Sequence, residues 1–219
     1  MKLHTDQLRE ALQLYLVMGS PNCAGADPVE VLKAAIDGGI TMFQYREKGA
    51  GALTGAASLA LGAQLRELCA RHAIPFIVND DVGMAEALEA DGIHVGQEDT
   101  AAEEVRRRFP GKIVGISAHN LAEAQSALAA GADYLGVGPM YATRTKLDAR
   151  EVQGPEGLVR MREGGIRLPL VGIGGIDAAG AAAVLRGGAD GIAVVSAITQ
   201  ARSPREAAAE LREIVNMIK

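Results

Sequence analysis

Leu185-Arg186-Gly187-Gly188-Ala189-Asp190-Gly191 ends a helical stretch, turns on glycine and runs into the apolar segment Ile192–Val195. The same succession recurs as Ala-Ala-Ile-Asp-Gly-Gly-Ile at 34–40, Leu-Glu-Ala-Asp-Gly-Ile at 88–93 and Leu-Ala-Ala-Gly-Ala-Asp-Tyr at 128–134. Glycine suits the left-handed stop of a helix, so each copy reads as a helix end followed by a strand. One αβ turn reused along the chain points to a ring of βα units. Such turns sit at the N-terminal ends of the strands, where they carry stability and no chemistry.

Outward from these anchors, β-rich runs alternate with helical ones. Strands are expected at Leu14–Met18, Met42–Tyr45, Phe76–Val78, Gly92–Val95, Ile113–Ser117, Tyr134–Val137, Leu170–Ile173 and Ile192–Val195. Helical periodicity fills 28–37, 54–72, 82–90, 100–109, 120–130, 155–163, 177–187 and 204–218. The expected fold is α/β, a single (β/α)8 TIM barrel spanning 1–219, with an open Rossmann-type sheet as the competitor.

Composition narrows the function. Net charge is −5 and aromatics are 3% with no Trp, which argues against a nucleic-acid surface. No apolar run approaches the roughly 20 residues of a membrane span, and Asp6, Arg9 and Glu10 precede the first apolar run, unlike a signal peptide. The expected location is the cytoplasm, with Cys23 and Cys69 as reduced thiols.

In such barrels chemistry gathers at the C-terminal ends of the strands. After the second strand, Gln44, Arg46 and Lys48 share one face of an extended segment and form an anion clamp. After the third come Asn79, Asp80 and Asp81, with Asp81 placed to cap the next helix. After the fourth, Thr100 and Glu103 form a capping box that leaves Asp99 outside the helix. Asp80 and Asp99 are then two carboxylates on neighbouring loops, a set that suits Mg²⁺ with substrate phosphates. His94 reads as a packed interior residue. Ser117 can line the pocket, Asn120 is a cap, and His119 is a lone loop histidine. The long segment Pro139–Gln153 carries Thr143-Arg144-Thr145-Lys146, read as phosphate contacts. Gly172-Ile173-Gly174-Gly175-Ile176-Asp177, paired with Ser196 after the last strand, matches the usual phosphate position of these barrels; Asp177 reads as a cap.

Taken together, these segments resemble the thiamine-phosphate synthase family over nearly the whole chain. The resemblance rests on Gln44–Lys48, Asn79-Asp80, Gly96-Gln97-Glu98-Asp99, Thr143–Lys146 and Gly172–Ile176 in that order. It implies a Mg²⁺-dependent transferase that joins an aminopyrimidine diphosphate to a thiazole phosphate. On that resemblance the Gln44–Lys48 segment, Tyr45 and Glu47 included, binds the pyrimidine diphosphate with Asn79, Ser117 and Lys146. Asp80 and Asp99 hold Mg²⁺. Thr143, Arg144, Thr145, Gly175, Val195 and Ser196 hold the thiazole phosphate, and Lys146, Arg46 and Ser117 are the catalytic residues. Ala142 departs from the family, where Pro commonly precedes the Thr-x-Thr-Lys loop; the change bears on loop stiffness. Two rival readings are a thiazole tautomerase using His119 and a non-catalytic binding protein. The Asp80/Asp99 pair and Lys146 argue against the tautomerase.

Overall fold

Short apolar runs rich in Val, Ile and Leu, buried on both faces, form parallel strands that helices must cover. The computed structural model describes residues 3–96, 102–143 and 151–219. The strands are β1 (Leu14–Met18), β2 (Met42–Tyr45), β3 (Phe76–Asn79), β4 (Gly92–Val95), β5 (Ile113–Ala118), β6 (Tyr134–Val137), β7 (Leu170–Ile173) and β8 (Gly191–Val194). Each pairs in parallel with the next, and β8 pairs back onto β1 through Leu14–Ile192 and Tyr15–Ala193. That closure excludes the open sheet.

The outer layer comprises α2 (Pro28–Asp37), α3 (Gly55–Arg71), α4 (Val82–Ala87), α5 (Ala102–Arg108), α6 (Leu121–Ala129), α7 (Gly154–Glu163), α8 (Ala178–Arg186) and α10 (Pro204–Ile218). Three caps fall where the sequence put them. Asp81, Asn120 and Asp177 accept the backbone N–H of Met84, Glu123 and Gly180 at 2.8, 2.9 and 3.0 Å. The Thr100 cap lies outside the described residues. Three further elements were not expected: α1 (Thr5–Ala11), a 3₁₀ turn at Ser20–Cys23 and the four-residue α9 (Ser196–Thr199). No helix among the described residues is long and apolar enough to cross a membrane.

Two apolar cores result. The larger lies between strands and helices and includes Leu16, Phe43, Val78, Ile93, Leu135 and Val194. The smaller fills the barrel with Tyr15, Val17, Met42, Ile77, Ile113, Tyr134, Val171 and Ala193. Leu8 and Leu12 belong to this inner core, so α1 and the residue after it seal the floor. Gly191 has no room for a side chain because the Leu12 carbonyl lies against it.

The repeated turns acquire a physical role at that floor. Thr41, Asp91, Asp133 and Asp190 each stand just before an even-numbered strand. Their side chains accept the backbone N–H of Leu14, Phe76, Val114 and Leu170, in or at the start of the preceding odd strand, at 2.8–2.9 Å. Their own backbone N–H groups donate to the carbonyls of those same four residues at 2.7–2.9 Å. The barrel is therefore built of four clasped strand pairs, and both cysteines are free and buried in the core between strands and helices.

Candidate active site at the barrel mouth

Strand parity decides which side chains enter the mouth. Gln44, Asn79, His94 and Ser117 have inward parity on β2 to β5, in register through Asn79–His94 and His94–Gly115. Gln44 is buried at 4% exposure and donates from Nε2 to the Tyr15 hydroxyl at 2.7 Å. Arg46 follows in the same parity, is half-buried and makes no ion pair with any described residue. Lys48 reaches across to the next loop and is ion-paired with Asp80.

Asp80 sits at the turn out of β3 with φ +58, a left-handed conformation uncommon outside glycine, Asn and Asp. Its N–H is fixed by the His94 carbonyl at 2.8 Å, and its Oδ2 accepts the Asn79 amide at 2.6 Å. Beside these groups lies a cavity of 230 Å³ lined by Tyr45, Glu47, Lys48, Val78, Asn79, Asp80, Asp81 and Met84.

Tyr45 and Glu47 also line this cavity. They have the opposite parity, and their polar groups are committed to the scaffold. The Tyr45 hydroxyl donates to the Ser58 carbonyl on α3 at 2.9 Å, and burial pushes its pKa up to about 12. The Glu47 carboxylate accepts the Ser20 and Leu53 backbone N–H groups at 2.8 Å each, and the Ser20 hydroxyl as well. Glu47 thus ties the β2 loop to the 3₁₀ turn after β1, and neither residue offers a free polar group to a diphosphate.

On the opposite rim the loop after β6 lies along the end of β7. Met140 and Tyr141 donate to the Ile173 and Gly174 carbonyls, both at 2.9 Å, and Gln153 returns to the Pro139 carbonyl at 2.8 Å. Both ends of the long loop are therefore pinned. Thr143 is half-buried; Arg144, Thr145 and Lys146 lie outside the described residues, as does Asp99. The glycines after β7 prove to serve this loop. Gly174 and Gly175 have φ +99 and +66, and a side chain on Gly175 would strike the Ala142 carbonyl and Tyr141. Gly175 and Ser196 are exposed on the adjacent loops after β7 and β8, and Val195 begins the turn into α9.

His119 is half-buried, and its Nδ1 lies 3.0 Å from the Glu123 carboxylate in the first turn of α6. It serves the start of that helix. Sequence reading missed the interior bonds of His94, which lies 3.0 Å from both the Tyr134 hydroxyl and Ser117 Oγ. The signal was present in the parity of Tyr15, His94 and Tyr134, three polar-tipped residues facing one axis.

A resident Mg²⁺ would meet a hard oxygen ligand in Asp80, held at the mouth beside Lys48. The donor chemistry fits, since Mg²⁺ takes one or two carboxylates and completes its shell with substrate oxygens and water. Among the described residues there is no cluster of three or more acidic, His or Cys side chains that would favour another metal.

The chain matches the family model described as thiamine monophosphate synthase over residues 14–198. It is 54% identical to a thiamine-phosphate synthase of Geobacillus kaustophilus over 98% of this chain and 96% of that one. Identity to a Bacillus cereus thiamine-phosphate synthase is 50%, over 98% and 97% of the two chains. Among solved structures, thiamine phosphate pyrophosphorylase from Pyrococcus furiosus superposes with a TM-score of 0.86 at 38% identity, covering 96% of this chain and 98% of that one. The 3-hexulose-6-phosphate synthase of Salmonella typhimurium, at 18% identity and a TM-score of 0.70 over 94% and 100% of the chains, shares the fold alone.

Proposed function

The chain belongs to the thiamine monophosphate synthase family, transferases of thiamine biosynthesis, and from that premise we propose its substrates, cofactor and mechanism. It joins 4-amino-2-methyl-5-(diphosphooxymethyl)pyrimidine to 4-methyl-5-(2-phosphooxyethyl)thiazole, releasing diphosphate and forming thiamine phosphate. The observation that carries this reading is the convergence of Gln44, Arg46, Lys48, Asn79 and Asp80 from two adjacent strands on one rim.

The diphosphate occupies the cationic rim. Arg46 and Lys48 bind it, with Asn79 as a further donor, and Asp80 together with Asp99 would hold Mg²⁺ for it. When bound, Mg²⁺ supplies neutralisation of the charge that grows on the departing diphosphate. Arg46 and Lys48 add preorganised positive charge to the same end, and Lys146 is assigned as a further cation for the diphosphate. The pyrimidine lies over Gln44 and Ser117. The thiazole phosphate is held on the opposite rim by Thr143, Thr145, Gly175, Val195 and Ser196, so the thiazole nitrogen faces the CH₂ that loses diphosphate.

The C–O bond to diphosphate breaks with its electron pair leaving on oxygen, and the aminopyrimidine carries the resulting positive charge. The neutral thiazole nitrogen then supplies the pair for the new C–N bond. No proton need be removed from the nucleophile, which accounts for His119 being engaged with Glu123 rather than aimed at a substrate. Catalysis is chiefly positioning and electrostatics. Both substrates are small phosphorylated molecules, and the expected setting is the cytoplasm.

The test is a coupling assay with both substrates and Mg²⁺, following thiamine phosphate and diphosphate. Multiple turnovers that stop on chelation support the reading, as does loss of Mg²⁺-dependent turnover in Asp80→Ala. Stoichiometric binding without turnover by folded protein would overturn it.

A further inference from the structure

The loop after β6 is fastened not only to β7 but also to the helix beyond it, and one side chain makes the link. Tyr141 donates its backbone N–H to the Gly174 carbonyl at 2.9 Å, and its hydroxyl donates to the Gly180 carbonyl in the first turn of α8 at 3.0 Å. Gly180 in turn gives its N–H to the capping carboxylate of Asp177 at 3.0 Å. Tyr141 thus joins three parts of one rim: the β6 loop, the glycine turn after β7 and the start of α8.

Three glycines are shaped to this segment. A Cβ on Gly174 would lie 2.6 Å from Pro139 Cβ, and one on Gly175 would lie 2.9 Å from Tyr141 Cβ. A Cβ on Gly180 would lie 2.6 Å from Tyr141 Cε2 and 2.9 Å from Cζ. Gly174 and Gly175 have positive φ, which accounts for glycine there on backbone grounds alone. Gly180 is different. It stands inside a helix, where alanine is the better residue. The tyrosine ring lying against it is what excludes a side chain.

The ring is partly buried and packs against the outer core. Burial raises the Tyr141 pKa, and the charges of Asp177 and Glu156 raise it further. The hydroxyl therefore stays protonated through the neutral range and remains a donor. Thr143 follows two residues after the ring, and Gly175 is held bare by it. These are residues that the proposed function gives to the thiazole phosphate, one on each loop.

We propose that Tyr141 is a positioning residue that sets the separation of the β6 and β7 loops, and with it the width of the thiazole phosphate site. The inference rests on the proposed function for the identity of the ligand. A phosphate gripped from two loops is sensitive to their spacing, because charge-assisted hydrogen bonds need a donor–acceptor separation of about 2.7–2.9 Å. Tyr141 acts through Thr143 and Gly175 and takes no part in bond breaking. Its loss is expected in affinity and not in kcat.

The test is calorimetric titration of folded variants with the thiazole phosphate and, separately, with inorganic diphosphate and Mg²⁺. Tyr141→Phe keeps the ring and loses the bond to Gly180. It should weaken thiazole phosphate binding about two- to fivefold, the worth of one neutral hydrogen bond, and leave diphosphate binding unchanged. Gly180→Ala drives a Cβ into the ring from the helix side and should weaken the same binding. In a Tyr141→Ala background Gly180→Ala should cost nothing further, because the ring it displaces is gone. Steady-state rates should place both losses in KM for the thiazole phosphate, with kcat little changed. Equal weakening of both ligands would mark a merely structural role and overturn the proposal. So would unchanged thiazole phosphate binding in Tyr141→Phe, or a Gly180→Ala cost that persists without the ring. Tyr141→Phe and Gly180→Ala decide the matter by themselves if Tyr141→Ala does not fold. Wild-type protein that fails to bind the thiazole phosphate would overturn the proposed function along with this role, whereas the other adverse outcomes overturn the role alone.

Discussion

Lys48 and Asp80, on the loops after adjacent strands, form an ion pair at the rim, and the Asn79 amide donates to the same carboxylate oxygen at 2.6 Å. Any cation that binds Asp80 in the free protein must displace the lysine. We therefore expect weak Mg²⁺ binding to the free protein and tighter binding once a diphosphate takes over Lys48. Lys48→Met should raise Mg²⁺ affinity of the free protein by up to about fivefold, the worth of an exposed ion pair. It should lower kcat/KM for the diphosphate substrate. Calorimetric titration with and without inorganic diphosphate checks the first effect; unchanged affinity in Lys48→Met would refute the competition.

The floor clasp at Asp190 predicts a large stability effect far from the mouth. Its carboxylate accepts the Leu170 N–H at 2.9 Å and the Arg162 guanidinium at 2.7 Å, and it is also paired with Arg9. Burial pulls the Arg162 pKa below its ordinary value while Asp190 supports the charge. Asp190→Ala leaves that guanidinium its backbone carbonyl acceptors but removes its counter-ion, and should cost about 3 kcal/mol. Glu86→Ala, which removes an exposed pair with Arg108, should cost about 0.5 kcal/mol or less. Urea unfolding of the two variants gives the comparison, and equal losses would refute it.

Gly175→Ala separates strain from function. At φ +66 an alanine costs about 1–2 kcal/mol, and its Cβ would lie 2.5 Å from the Ala142 carbonyl, pushing the loop that carries Thr143. The expected result is a raised KM for the thiazole phosphate with a smaller change in kcat. Gly25→Ala is the control, since Gly25 has φ +87 but nothing within 4 Å of an added Cβ. It should lose comparable stability and keep its KM. A normal KM in Gly175→Ala would show that the loop's seat does not matter to binding.

The two buried thiols predict behaviour in alkali. Burial pushes Cys23 up to about 11 and Cys69 up to about 12 from an ordinary value near 9. Between pH 9 and those values the unfolded chain has lost protons that the folded one keeps. Stability from these groups is therefore intact below about pH 9 and falls as pH rises above it. Denaturant midpoints against pH should show that decline, shallower in Cys69→Ala. At pH 8 the native protein should react with a thiol reagent only as fast as it unfolds; rapid labelling of the folded state would contradict the burial.

Sequence made the strands legible because apolar runs, glycine stops and caps agree locally: Asp81, Asn120 and Asp177 cap as expected. It did not reveal α1, a seven-residue segment with one buried residue, Leu8. Such a helix has too few turns for periodicity and exists because the barrel floor needs a cover. Parity put Gln44 on the inner face of β2, but nothing in the sequence signalled that the polar groups of Tyr45 and Glu47 would be tied to Ser58 and Ser20. The interior hydrogen bonds that link Gln44, Tyr15, Tyr134, His94 and Ser117 were hidden because their partners are separated by up to 119 residues. Only ring closure puts Tyr15 opposite Tyr134.

The four floor clasps also say where the molecule tolerates being cut and rejoined. Each spans 15 to 27 residues and stays within one strand pair. Circular permutants opened near residues 72–75, between the pairs, keep every clasp as a short-range closure. Opening instead between α2 and Thr41 turns one of them into a contact across most of the rearranged chain. Loop closure then costs more before any contact is made. The barrel is in that sense an assembly of four exchangeable quarters, with its seams marked by the absence of a clasp.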